Sequence, residues 1–268
     1  MALLVAAGVT SVRDCGGDFE TLQRWRREIA EGRRIGPIIY LSGPAVDGPK
    51  EDAKFRLTIA TPDEAKRAVD SLAQMGVNFI KTHNAIPRDA YFAVLVEARR
   101  HNLRVASHLP KGVPAWEAAD AGVGSIEHAA ESLLASPIYA GYAADVEEAM
   151  AWWESAQGDA AIDHLARARV AVTPTLVTYA AFTEMRRGTP SYEPRQRVLA
   201  FLLKLTGRLY RAGVVILAGS DFASAEVPLV PGKSLLDEVA LLEQAGLPRD
   251  EALKAAGSNI AEWLQPTN

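Results

Sequence analysis

A single cysteine, Cys15, is the whole thiol complement of this chain, so no internal disulfide is available and the fold does not depend on an oxidising compartment. No apolar run approaches the roughly 18 residues that a membrane-spanning helix needs. Basic residues are not in excess. The 29 Lys and Arg stand against 33 Asp and Glu, a formal charge of −4, which leaves no compositional footprint of a nucleic-acid partner. The opening stretch, Met1-Ala-Leu-Leu-Val-Ala-Ala-Gly8, lacks the basic n-region and the cleavage site of a secretory signal. Low-complexity segments are also absent, and the chain reads as one domain over residues 1–268.

What is present is ordinary for a globular protein: 49% hydrophobic and 23% charged residues, in a length suited to one α/β barrel. The apolar residues follow a repeating order of short β-branched run, polar loop and amphipathic helix, which predicts parallel strands covered by helices. Strands are expected near 9–14, 37–42, 77–82, 103–108, 123–127, 170–174 and 214–219. Helices are expected near 18–32, 61–75, 87–101, 112–121, 143–168, 192–212, 232–246 and 248–264. Thr61-Pro-Asp-Glu64 carries a cap residue, a first-turn proline and acids at the positive end of the helix dipole. Ala7-Gly-Val9, Met75-Gly-Val77, Ala121-Gly-Val123 and Ala212-Gly-Val214 mark four helix-to-strand corners.

Seven strands are one fewer than a closed barrel needs. The expected fold class is therefore α/β, a (β/α)8 TIM-type barrel that is incomplete, the chain beginning inside the helix that follows an absent first strand. Residues 43–60 and 129–168 follow strands and are candidate substrate loops, because extensions after strands lie on the face where barrels build their sites.

That face collects the residues able to carry chemistry: Arg13-Asp14, Lys81, His108, His128 and Asp221, all at the C-terminal ends of expected strands. Imidazole suits zinc and similar ions, and carboxylate oxygens widen the choice. One histidine at a strand end reads as a satisfied polar group. Two on adjacent strands with Asp221 on a later one form a partial coordination sphere. Asp221 reads either as a loop carboxylate or as a metal ligand that takes a proton from an attacking water. Lys81 reads either as a salt-bridged lysine or as an amine that has added carbon dioxide to give an anionic carbamate. Arg13 is the nearest candidate to bind a substrate carboxylate, against an ion pair with a strand-end acid. His83 is a weaker candidate for substrate contact, and His101 and His164 read as structural or exposed.

These blocks resemble the amidohydrolase superfamily, in the branch of imidazolonepropionase-related enzymes and Xaa-Pro dipeptidases (prolidases). The resemblance runs through Ala7-Gly-Val-Thr-Ser-Val-Arg-Asp14, Gly76-Val-Asn-Phe-Ile-Lys81, Val105-Ala-Ser-His108 and Ala121-Gly-Val-Gly-Ser-Ile-Glu-His128. It continues through Thr173-Pro-Thr-Leu176, Ala218-Gly-Ser-Asp221, Ser234-Leu-Leu-Asp-Glu238, Gln244-Ala-Gly-Leu247 and Glu251-Ala-Leu-Lys-Ala-Ala256. It implies Lys81 as a carbamylated bridging lysine, His108 and His128 as metal ligands, and Asp221 as a ligand that also handles protons. The implied cofactor is one or two divalent metal ions, commonly zinc. The implied reaction is hydrolysis of an amide, peptide-like or N-acyl, with a single-metal deaminase or cyclic-amidine hydrolase as the alternative. The family's first-strand His-x-His pair is not found in this sequence, nor is its small β-sandwich. An N-terminally truncated chain is expected on that ground, and an inactive barrel fragment is the reading from another class. The expected partner is a small-molecule substrate, without nucleic acid or membrane. Assembly into a homo-oligomer stays open, as does cellular location, with the cytoplasm favoured for the chain as it stands.

Overall fold

The computed structural model of the protein describes residues 1–49, 55–222 and 227–265. The chain opens with α1 (Ala2–Ala6), β1 (Ser11–Asp14), α2 (Phe19–Ala30) and β2 (Ile38–Leu41). Two short strands follow, β3 (Ala45–Asp47) and β4 (Arg56–Thr58). Next come α3 (Pro62–Gln74), β5 (Ile80–Thr82), α4 (Arg88–Arg100), β6 (Val105–Ser107), α5 (Ala115–Asp120) and β7 (Ser125–Glu127). A π-helical turn (Ala129–Leu134) leads into α6 (Ser136–Tyr139), α7 (Val146–Trp153), α8 (Ala156–Arg167), β8 (Ala171–Thr173), α9 (Leu176–Glu184) and α10 (Tyr192–Arg211). The last described helices are α11 (Lys233–Gln244), α12 (Arg249–Ala255) and α13 (Ser258–Trp263).

Local chemistry sets these limits. Thr61 accepts a hydrogen bond from the Glu64 amide, and the Glu64 carboxylate accepts from the Thr61 and Ala60 amides, closing a capping box at the start of α3. Gly76 ends that helix at φ 73°, a left-handed conformation that any side chain would strain. The turn releases the chain directly towards β5.

All paired strands run parallel. β5, β6, β7 and β8 are neighbours in sequence order, and β1 pairs with β2. Asn78 joins the two groups: its amide donates to the Leu41 carbonyl at 2.7 Å, and its side-chain oxygen accepts from the Leu41 amide at 2.9 Å. After β8, Ile216 adds a single parallel bridge to Val172. The wall therefore runs β1, β2, β5, β6, β7, β8 and Ile216, seven staves of an incomplete (β/α) barrel.

Several expected elements take a different form. The 214–219 run makes one bridge rather than a strand. Its backbone is satisfied elsewhere, by the Asn259 side chain on the Ile216 carbonyl and by the Ala255 carbonyl on the Ala218 amide. The expected helix over 143–168 divides at Glu154 and Ser155, because Ser155 caps α8 by accepting from the Gly158 amide. The expected helix over 248–264 divides at Gly257 into α12 and α13. The stretch read as a loop over 43–60 contains β3 and β4, and its residues 50–54 lie outside the described residues. The 129–168 stretch is largely helical. Helix α9 was not expected; its Leu-Val-Thr-Tyr-Ala-Ala-Phe run offers little amphipathic contrast.

The pleat separates two cores. Ile80, Val105, Ile126 and Val172 belong to the large apolar layer between sheet and helices. The opposite face of the same strands supplies Ala106 and Ala171 to an inner cluster with Phe79, Leu217 and Trp263. Trp263, on α13, plugs the barrel: its indole N–H donates to the Gly124 carbonyl at 3.0 Å, and its ring meets Phe79 edge-on at 5.6 Å. Removing so large a buried ring costs about 3–5 kcal/mol. The plug fixes the floor on which the polar residues above it rest.

Candidate active site

Directly over the plug lies Arg13. Its guanidinium stacks 4.6 Å from the Trp263 ring and donates from Nη2 to Glu127 and Thr173, both at 3.2 Å. Arg13 and Glu127 are 8% and 5% exposed at the side chain, so this is a buried pair and costs much to break. Burial pushes the Glu127 carboxyl up. The Arg13 and Lys81 charges and the Ser125 hydroxyl outweigh that and hold it below its ordinary value. Arg13 is therefore committed to an internal acid, the alternative to binding a substrate carboxylate. Asp14 is committed too: its carboxylate accepts from the Gly16 and Gly17 amides and shapes the turn after β1.

Lys81 is the middle residue of β5, in register with Ala106, and so faces the barrel interior. It is 4% exposed, and its Nζ has no hydrogen-bond partner among the described residues; the same holds for Nη1 of Arg13. An unpartnered donor at that depth costs about 1–3 kcal/mol. Burial pushes the Lys81 amine below its ordinary range, opposed by the charges of Glu127, Cys15 and Asp221.

The next layer is histidine. His83, His108 and His128 follow β5, β6 and β7, and each backbone amide extends the ladder to a neighbouring strand: His83 to Val46, His108 to Thr82 and His128 to Thr173. The rings form a row, with centroids 4.6 Å apart between His83 and His108 and 5.0 Å between His108 and His128. Burial drives all three down, with Lys81 adding to it at each. His83 falls to about 4, His128 to about 3 and His108 further still. Neutral imidazoles with available lone pairs result, the protonation state a metal ligand needs. His83 also contacts Asn84 and the Asp47–Arg56 pair, which turns it towards β3 and β4.

Asp221 lines the same cavity as Lys81, His108 and His128. The cavity measures about 880 Å³. Glu131, Tyr179 and Phe182 contribute to its wall. Non-glycine residues at positive φ gather here. His128, Thr175 and Asp221, at φ 62°, 50° and 47°, each follow one of the last three staves and all line this cavity. Left-handed backbone in such residues is costly and concentrates where a site over-determines it.

A tighter grouping exists elsewhere. Among the described residues, the one set of three His, Cys, Asp or Glu side chains with donor atoms within 4.8 Å of one another is Asp70, Glu97 and His101, on α3 and at the C-terminal end of α4. Its members already satisfy one another. His101 Nε2 lies 2.6 Å from Asp70 and 3.8 Å from Glu97, and Arg100 pairs with Glu97 at 3.3 Å. The strand-end group is looser, but it combines neutral imidazoles, a carboxylate and an unpartnered buried amine, and these fit a metal centre in donor chemistry. Glu127, Thr175 and Glu238 were not singled out as site residues from the sequence. Glu127 was visible in principle, since Ser125-x-Glu127 places it on the inward face by strand periodicity.

No protein-family model and no curated protein matches the chain. Solved structures do. Bottromycin amidohydrolase superposes with a TM-score of 0.75 at 23% identity, over 98% of this chain and 63% of its own. A Xaa-Pro dipeptidase with methionine bound in its active site gives 0.70 at 20% identity, over 98% of this chain and 66% of its own. The chain has the barrel fold of the amidohydrolases. An ochratoxinase from A. niger gives 0.69 at 21% identity, over 97% of this chain and 62% of its own. The chain thus spans just under two thirds of the length of the amidohydrolase-fold structures it matches.

Proposed function

We propose that this chain forms the barrel of a metal-dependent hydrolase that activates water against an amide bond, peptide-like or N-acyl. The observation that carries the reading is the shared cavity of Lys81, His108, His128 and Asp221, with the Lys81 amine buried and unpartnered among neutral imidazoles. Similarity to an amidohydrolase and a Xaa-Pro dipeptidase supports the same reaction class.

In this reading His108, His128, Asp221 and a modified Lys81 hold one or two divalent ions, zinc being the expected one. When bound, the metal supplies Lewis acidity, polarising a scissile carbonyl and acidifying a water. The residues of the chain do the rest. Burial lowers the proton affinity of the Lys81 amine and so favours the free-base form that can add carbon dioxide. A nitrogen–carbon bond forms as one carbon–oxygen π bond of carbon dioxide opens, the nitrogen releases a proton to solvent, and an anionic carbamate remains. The Asp221 carboxylate takes the proton of the attacking water and returns it to the leaving nitrogen. The Arg13–Glu127 pair beneath is a fixed support that takes no part in the proton transfer.

Turnover of a panel of dipeptides and N-acyl amino acids tests the reading, with zinc supplied. Hydrolysis should be lost in Asp221→Asn and on chelation. Hydrolysis that persists through both contradicts the proposal. A Lys81→Ala variant that still holds its full metal complement replaces the bridging role with the single-metal one.

A further inference from the structure

Thr175 occupies the N-cap position of α9, yet its side chain makes no capping hydrogen bond. The job is done from another helix. Glu238 of α11, fully buried, accepts from the Leu176 amide at 3.1 Å and the Val177 amide at 2.7 Å. Two of the open donors at the start of α9 are thereby satisfied by one carboxylate. The Thr175 hydroxyl is left for other work, in a residue held at φ 50° and ψ 47°.

That hydroxyl has two neighbours. It lies 2.8 Å from the Pro174 carbonyl and 3.1 Å from Nδ1 of His128. A carbonyl can only accept, so the single hydroxyl proton goes to Pro174. The oxygen then faces His128 Nδ1 with lone pairs alone. A hydrogen bond there requires the proton to sit on Nδ1, which leaves the lone pair on Nε2.

We propose that Thr175 is a positioning residue that fixes His128 as the Nδ1–H tautomer, and that Glu238 makes this possible by capping α9 in place of Thr175. The use of the Nε2 lone pair as a metal ligand rests on the function proposed above; the tautomer assignment does not. Partners that orient a ligating imidazole typically change metal affinity about 10- to 100-fold when removed.

The test is long-range proton–nitrogen NMR of the histidine rings in the whole metal-free chain, at about pH 8 where imidazole is neutral. His128 should appear as the Nδ1–H form in the wild type and in Thr175→Ser, and should lose that preference in Thr175→Val. Glu238→Gln, which turns an amide nitrogen towards one of the two backbone donors, should shift the same signal in the same direction. An unchanged His128 in Thr175→Val overturns the assignment, and an unchanged His128 in Glu238→Gln overturns the part given to Glu238. Competition titration with zinc adds a second readout: affinity should fall about 10- to 100-fold in Thr175→Val and recover in Thr175→Ser. If the tautomer responds as expected while the wild type binds no zinc, the metal reading fails and the tautomer assignment stands.

Discussion

The barrel mouth and the outer helical surface both bring histidines next to acids, with opposite outcomes. Outside, His101 meets Asp70 at 2.6 Å between α3 and α4, and His164 meets Asp120 at 2.8 Å between α5 and α8. These rings are about one-third exposed, and each has its partner. Inside, His83, His108 and His128 line up against each other above a buried Arg13–Glu127 pair, where burial first, with the Lys81 charge adding to it, disfavours their protonation. The outer trio is compact because its members are paired with one another, His101 with Asp70 at 2.6 Å and with Glu97 at 3.8 Å. The inner group stays open, holds its lone pairs, and retains an amine without a partner.

Three experiments probe that contrast. The largest effect should come from Glu127→Ala, which strands Arg13 in the barrel interior. We expect a loss of about 3–5 kcal/mol in urea unfolding, and a loss below about 1 kcal/mol would make the interior pair no different from a surface one. The second uses pH. His128 titrates at about 3 in the folded protein, against about 6.5 unfolded. The stability tied to its neutral ring is therefore complete above about pH 6.5 and is lost as pH falls towards the folded value. Between about pH 7.5 and 5.5, His128→Gln should lose roughly 1.4 kcal/mol less stability than the wild type. Equal losses would place His128 in a watery setting. The smallest effect is expected from His101→Ala, about 1 kcal/mol or less by the same measurement, as for other partly exposed ion pairs.

Much of the cavity lining that makes up the candidate site could be read in the sequence because strand ends in a parallel barrel converge. The strand-end positions of His108 and His128, the inward Lys81 and the later Asp221 needed only the βα alternation to be placed on one face. Glu127 was passed over because it sits between an apolar run and the histidine that drew notice, although its spacing from Ser125 marks it as inward. Thr175 and Glu238 had no local signal. Their link depends on a left-handed residue after β8 and on a helix more than 60 positions later. The short strands β3 and β4 were missed for a related reason, since three residues apiece carry too little periodicity to stand out from a loop.

Metal content of the purified chain tests the account most directly, measured by mass spectrometry beside His108→Ala/His128→Ala and beside His101→Ala. The account predicts about one zinc or similar ion per chain or more in the wild type and in His101→Ala, and close to none in the double variant. A wild type without metal, a double variant that keeps its ion, or a His101→Ala protein that loses it would each contradict placing the metal centre at the strand ends.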